Sequence, residues 1–213
     1  MERDFLPIAG YGTIPQALLV NPAFPANSVG DLIALARKKP GSVTFGTAGV
    51  GTALHIAALE LDNLAGIKTT AVHYRGAAPA LTDLIGGHID AIIMGPSVAL
   101  SSVKDGKLKM LAFASEKRVR QFPDVPTVAE TVPGYEASVS FGLFAAAGTP
   151  ADIVRKVNAD VQAIVGDAEF RKKYLERFAV EPVPGPLDAF AGYLRKESAM
   201  WGEVIRKANV KID

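Results

Sequence analysis

The chain has 213 residues, 49% hydrophobic and 21% charged, a balance that supports a packed core and excludes intrinsic disorder. Its 23 basic and 22 acidic side chains leave a formal charge of +1, too little general field to hold a nucleic acid or an anionic membrane, so no nucleic-acid partner is expected. Without cysteine there are no disulfides, thiolate metal sites or Cys nucleophiles, and His55, His73 and His88 lack the spacing of an H-E-x-x-H zinc site, so neither a metal nor a cofactor is expected.

No apolar run approaches the roughly 20 residues of a membrane span. In chain order, residues 5–20 can add one strand at most. Residues 28–40 read as a helix: Ser28 and Asp31 form a capping box, Leu32, Ile33, Leu35 and Ala36 make an apolar face, and Lys38 and Lys39 suit its C-terminal dipole. Pro40 and Gly41 stop it. Residues 42–47 alternate as a strand, the glycines at 46, 49 and 51 end it, and a second helix follows over about 52–64 with Gly66 just beyond. The unit then repeats as a strand over 69–74, the loop Arg75-Gly-Ala-Ala78 and a helix with Pro79 in its first turn and Gly86-Gly87 at its end. An apolar strand over 89–94 runs to Gly95-Pro96-Ser97 ahead of a short helix to Lys104, and residues 109–114 make a further strand. This alternation defines an α/β class, with right-handed crossovers, a largely parallel sheet and one lobe over 18–134.

Residues 121–134 are a Pro-rich connection with one helical turn at 127–131. Residues 138–147 return to β character, and Thr149 and Asp152 form a second capping box opening a helix with Ile153, Val154, Val157, Val161 and Ile164 on one side. Two more helices lie near 168–178 and 187–208. Residues 1–17 and 135–213 thus make an incomplete second lobe, whose helices need more sheet than these residues supply. Either this half docks on the α/β lobe, or part of its sheet lies outside the chain.

In a parallel sheet the C-terminal ends of all strands share one edge, where the following helices present N–H groups with no intrahelical acceptor. Three loops converge there: 46–52, 75–78 and 95–97. Small residues in all three permit close backbone approach, and helix N-termini with Arg75 make the edge locally positive, which suits a carboxylate. Glycines after strands are also plain turn punctuation. The hydroxyls of Thr47, Thr52 and Ser97 are either ligand donors or helix caps, and Arg75 is either a solvated charge or a clamp. His55 can reach the first loop or pack; His73 reads as core or sheet face.

Enzyme motifs fail when spelled out. The run Gly46-Thr-Ala-Gly-Val-Gly51-Thr52 has no Lys before Thr52, so it is not a phosphate loop, and Gly49-Val-Gly51 lacks the third glycine of a dinucleotide fingerprint. Gly95-Pro-Ser97-Val-Ala99 imitates a nucleophile elbow but ends in Ala; a small hydrolase using Ser97 with His73 or His55 stands as the competing class, and a metabolite-sensing module as a third. No carboxylate pair is placed as an acid/base couple, so no catalytic residue is expected.

Four ordered motifs, the run 45–55, His73-Tyr-Arg-Gly-Ala-Ala-Pro-Ala-Leu-Thr-Asp-Leu-Ile-Gly-Gly-His-Ile-Asp90, Phe122-Pro-Asp-Val-Pro-Thr-Val-Ala-Glu130 and Phe141-Gly-Leu-Phe-Ala-Ala-Ala-Gly-Thr-Pro150, closely resemble the Bug family. These are substrate-binding receptors of tripartite tricarboxylate transporters, and the likeness covers nearly the whole chain. The resemblance implies a periplasmic-binding-protein-like fold of type II, two α/β lobes hinged near 12–20 and 134–140, and no enzymatic activity. It further implies periplasmic localisation, a small organic acid as ligand and membrane transporter subunits as partners. Carried onto this chain, the ligand loops are Thr47, Ala48, Gly49, Gly51 and Thr52 with His55, then Arg75 with the helix start at Gly76, Ala77 and Ala78, then Met94 and Gly95. The resemblance also leads one to expect a secretion signal and a first α/β segment ahead of Arg3; without them the chain is a truncated form with half the cleft, and its exposed inner faces promote self-association. Ser140, where the family often has an aromatic residue, and Ala146, where Pro is frequent, depart from the pattern.

Overall fold

A computed structural model describes residues 4–183, 185–208 and 210. The chain divides into two compact units: one takes the segment ending at Ile14 with Val139–Gly202, the other Pro15–Ser138 with the segment from Glu203.

The larger unit is a five-stranded sheet in the order β3-β2-β4-β1-β5, from β1 (Phe5–Val20), β2 (Thr44–Thr47), β3 (Thr70–His73), β4 (Ala91–Met94) and β5 (Lys109–Ala114). Between them run α1 (Val29–Lys38), α2 (Ala53–Ala65), α3 (Ala77–Gly86), a 3-10 turn over Pro96–Val98 and α4 (Leu100–Lys104). β2 is parallel to β3 and β4, as the strand-helix alternation dictates. β1 corrects the expectation of a largely parallel sheet: its end, Gln16 to Val20, lies between β4 and β5 and is antiparallel to both. Ala17, Leu18, Leu19 and Val20 are wholly buried there, as a central strand covered on both faces requires. β5 consequently points the same way as β2, β3 and β4, and the sheet holds four co-directional strands around one inverted strand.

Local rules set the helix ends. Ser28 caps α1 by accepting from the Asp31 N–H at 3.1 Å, but the Asp31 carboxylate accepts from Asn27 N–H at 2.9 Å, so only half of the expected box forms. That contact with Asn27, reinforced by Ser28, holds the Asp31 carboxyl below its usual range. The box expected at Thr149–Asp152 is absent: Pro150 takes the cap position, and the Thr149 hydroxyl donates to the Ala146 carbonyl at 2.8 Å. A full reciprocal box instead opens the 3-10 turn Val128–Glu130, from Thr127 and Glu130. Arg118 grips that Glu130 with two 2.8 Å bonds and, with the Thr127 N–H, holds its carboxyl down at about 2.

In the smaller unit β6 (Ser138–Ala146) pairs with the first part of β1, and Thr13 bridges to Glu181. α5 (Ala151–Gly166) covers it by packing Val154, with Val157 and Val161, against Ile8 and Ala9. The helix expected over 168–178 is broken into α6 (Ala168–Phe170), one wide π turn (Arg171–Leu175) and one tight 3-10 turn (Glu176–Phe178). α7 (Leu187–Lys207) lays the buried Phe190 ring over Gly10 and Gly142. A Cβ at those glycines would stand 2.7 and 2.1 Å from ring atoms, so the ring packs only because both residues lack one.

Candidate functional site

The sheet order determines where the three loops go. β2 lies between β3 and β4, with Thr47 opposite His73 and Gly46 opposite Ile92, so the loops after all three strands leave from one edge, the first of them in the middle. This edge belongs wholly to the larger unit.

The first loop is a tight structure with an internal frame. Gly49 at φ 126° and Gly51 at φ 74° take conformations that an L side chain resists. Thr52 occupies the N-cap of α2, yet its hydroxyl donates to the Gly49 carbonyl at 2.8 Å and caps nothing in the helix. Thr47 is fully buried, and its hydroxyl stands 2.7 Å from His73 Nδ1 and 3.3 Å from the Gly49 N–H. The two threonines therefore serve the loop's own geometry, neither purely as caps nor as free donors.

His55, the third residue of α2, turns back so that its Nδ1 accepts the Gly51 N–H at 3.1 Å. An accepting Nδ1 places the ring proton on Nε2 and makes the imidazole neutral. Burial, and then the neighbouring His73, push its pKa below the ordinary histidine value, in agreement with that assignment. The His55 and His73 rings meet edge-on, 4.7 Å apart at 88°. His73 ends β3 and is exposed, not core. In the sequence His73 stands only as a base of the hydrolase alternative, outside the ligand-loop residues; its place at the end of a strand ahead of Arg75-Gly76 sets it at the edge that carries Thr47.

The second loop is anchored from behind. The Tyr74 hydroxyl donates to Asp83 at 2.7 Å, and burial together with that carboxylate pushes the phenol up to about 12. Arg75 is exposed, and Gly76 is the N-cap of α3 at φ 117° with no side-chain cap. A Cβ on Gly76 or Gly95 would meet nothing within 4 Å, so both loops border open space. Met94 is the last residue of β4, buried and paired with Ala17, which leaves Gly95 as the member of that pair at the open edge. Ser97 is exposed inside the 3-10 turn.

The helices behind the loops are fixed. The fully buried Tyr135 donates to the Ala57 carbonyl at 3.0 Å, locking α2, and burial drives its phenol pKa upward. Asp62 Oδ2 accepts from the Thr69 N–H and hydroxyl at 2.9 and 3.0 Å, tying the far end of α2 to the start of β3, and burial raises its carboxyl above the usual range. Asn21 donates to Leu84 O at the end of α3 at 2.8 Å. Two cavities of about 280 and 400 Å³ flank α1, one beside Ala65 and Val132 and the other beside Phe24 and Val43, on neither side touching the loops. Among the described residues no group of three or more His, Asp or Glu side chains is placed to hold a metal ion.

Chemically, the edge offers uncapped helix N–H groups, a guanidinium and two imidazole edges, an array that attracts an anion. It is not a nucleophilic triad. Both imidazoles spend Nδ1 on first-loop groups, where a serine nucleophile's base needs an orienting carboxylate.

The family profile described as "Tripartite tricarboxylate transporter family receptor" matches residues 1–210. A UPF0065 protein from the tcbD-tcbE intergenic region of Pseudomonas sp. is 30% identical over 96% of this chain and 61% of its own length; BugT of Bordetella pertussis is 30% identical over 99% and 64%. The chain thus spans a little over three fifths of the length of these two relatives. Among solved structures, R. palustris Rpa4515 with adipate is 32% identical with a TM-score of 0.87 over 97% of this chain and 69% of that one. MatC from Rhodopseudomonas palustris with bound malate is 29% identical with a TM-score of 0.80 over 94% and 69%. The periplasmic binding protein BugD gives 28% and 0.81, over 97% and 70%. The arginine-, lysine-, histidine-binding protein ArtJ of Geobacillus stearothermophilus, at 19% identity and a TM-score of 0.51, shares the fold alone. The fold is that of the type II periplasmic binding proteins, and these relatives are receptors rather than enzymes. The chain belongs to the tripartite tricarboxylate transporter receptor family.

Proposed function

We propose that this chain is the ligand-reading part of an extracytoplasmic receptor that captures a small carboxylate and delivers it to the membrane subunits of a tripartite transporter. The observation that carries the reading is the convergence of the loops after β2, β3 and β4 at one sheet edge, with small residues, uncapped helix starts and Arg75. Gly49, Gly51, Gly76 and Gly95 let the backbone approach the ligand. The N–H groups of Gly76, Ala77 and Ala78 and the first turn of α2 supply donors, and Arg75 supplies charge. Thr47, Ala48, Thr52 and His55 hold the first loop in register, and Met94 positions Gly95. Each charge-assisted hydrogen bond contributes roughly 1.5–3 kcal/mol, so a few of them offset the several kcal/mol of desolvating one carboxylate. Relatives solved with adipate and with malate support this ligand class. Periplasmic location follows another relative, the periplasmic binding protein BugD. Self-association belongs to the same reading, through Phe141, Leu143 and Phe144 exposed along β6.

A thermal-shift and calorimetric screen of organic acids tests the proposal. A dicarboxylate such as adipate or malate is expected to raise the melting temperature with a dose dependence set by mass action, and Arg75→Ala to weaken binding by about tenfold. The reading fails if no carboxylate binds while an uncharged metabolite does.

A further inference from the structure

We propose that His73 is a specificity-determining residue of this site: its imidazole, fixed at Nδ1 by Thr47, presents an Nε2–H donor to the bound carboxylate. The inference rests on the receptor reading above.

The short Thr47–His73 contact fits the tautomer in which Nδ1 accepts and Nε2 carries the proton. The Thr47 hydroxyl has one proton to give and accepts the Gly49 N–H at 3.3 Å. Its oxygen lies 2.7 Å from His73 Nδ1 and 3.5 Å from the Gly49 carbonyl, and in the proposed arrangement its proton goes to the shorter contact. Nδ1 is then an acceptor, and the ring carries its own proton on Nε2. His55 cannot substitute in this role, because it is buried. It serves instead as a wall, its ring edge-on to His73 at 4.7 Å. Thr47 on one side and His55 on the other restrict the His73 ring before any ligand arrives, so little rotamer freedom remains to be lost on binding. The exposed ring sits two residues ahead of Arg75 and three ahead of the helix start at Gly76, at the edge shared with the first loop. Among the described residues nothing is hydrogen-bonded to Nε2. A pre-aimed N–H donor at the edge that also carries Arg75 and uncapped amides fits an anionic oxygen and discriminates against ligands that lack one.

The test is titration calorimetry of the full chain with adipate and malate, on the wild type, His73→Asn and His73→Gln. Asn places an amide near Nδ1 and retains a partner for Thr47, but has no atom at the ε position; Gln places its amide N–H near Nε2. The expected result is a loss of roughly ten- to hundred-fold in His73→Asn and recovery of most of it in His73→Gln, with ligand-free melting temperatures near the wild type. Wild-type affinity in His73→Asn, failure of Gln to recover binding, or losses that follow a lowered melting temperature in both variants would overturn the donor role. If the wild type binds neither acid, the receptor reading falls first and takes this proposal with it.

Discussion

His55 shows how a single side chain joins fold to site. Its Nδ1 terminates the first loop at Gly51, and this bond exists only while the ring is unprotonated at that nitrogen. Because burial and His73 lower its pKa in the folded chain, the unfolded chain binds the proton more readily. The stabilisation from His55 is therefore whole above the ordinary histidine value of about 6.5 and is lost as pH falls through that value toward the lower folded one. Thermal midpoints measured at about pH 7.5 and about pH 5.5 should fall further on acidification for the wild type than for His55→Gln. Equal falls would show that the Gly51 bond is not coupled to His55 protonation. The loop itself was legible in the sequence, because Gly49 and Gly51 follow a strand and precede a helix. His73 was not: alternation along its strand places a residue on a face, but only the parallel pairing of β3 with β2 puts its ring on Thr47.

At the scale of elements, chain order and composition carry the strand-helix repeats from β2 to β4, and the structure follows them closely. The inverted placement of β1 left no such mark. Ala17-Leu-Leu-Val20 is apolar enough for a central strand of either direction, and its neighbours, β4 and β5, are remote in sequence. Capping was readable where a side chain was free to turn back, as at Ser28, and misread at Thr149, where Pro150 took the cap position. The glycines under Phe190 were equally silent, since their need arises from an aromatic ring that arrives from α7. They give a direct test of packing in the smaller unit. Gly142→Ala would put a Cβ 2.1 Å from Phe190 Cζ and 2.8 Å from the Ala9 carbonyl oxygen, and should destabilise by about 1–3 kcal/mol in urea denaturation. Gly166→Ala, where a Cβ meets nothing within 4 Å, should be neutral or slightly stabilising. Similar midpoints for the two variants would contradict the close approach of Phe190.

For the whole molecule, the larger unit alone carries all three loops, the imidazole pair and Arg75, while the smaller unit is a strand pair with helices packed on it. In the proposed function, backbone amides gathered at one end of the β3-β2-β4 sheet hold a carboxylate. Amide chemical-shift mapping of the full chain during a titration with adipate tests it most directly. The largest saturable shifts are expected on Gly49, Gly51, Gly76, Ala77 and Gly95, with small changes around the α1 cavities beside Ala65 and Val43. Saturable shifts centred on those cavities, with the loop amides unmoved, would contradict it.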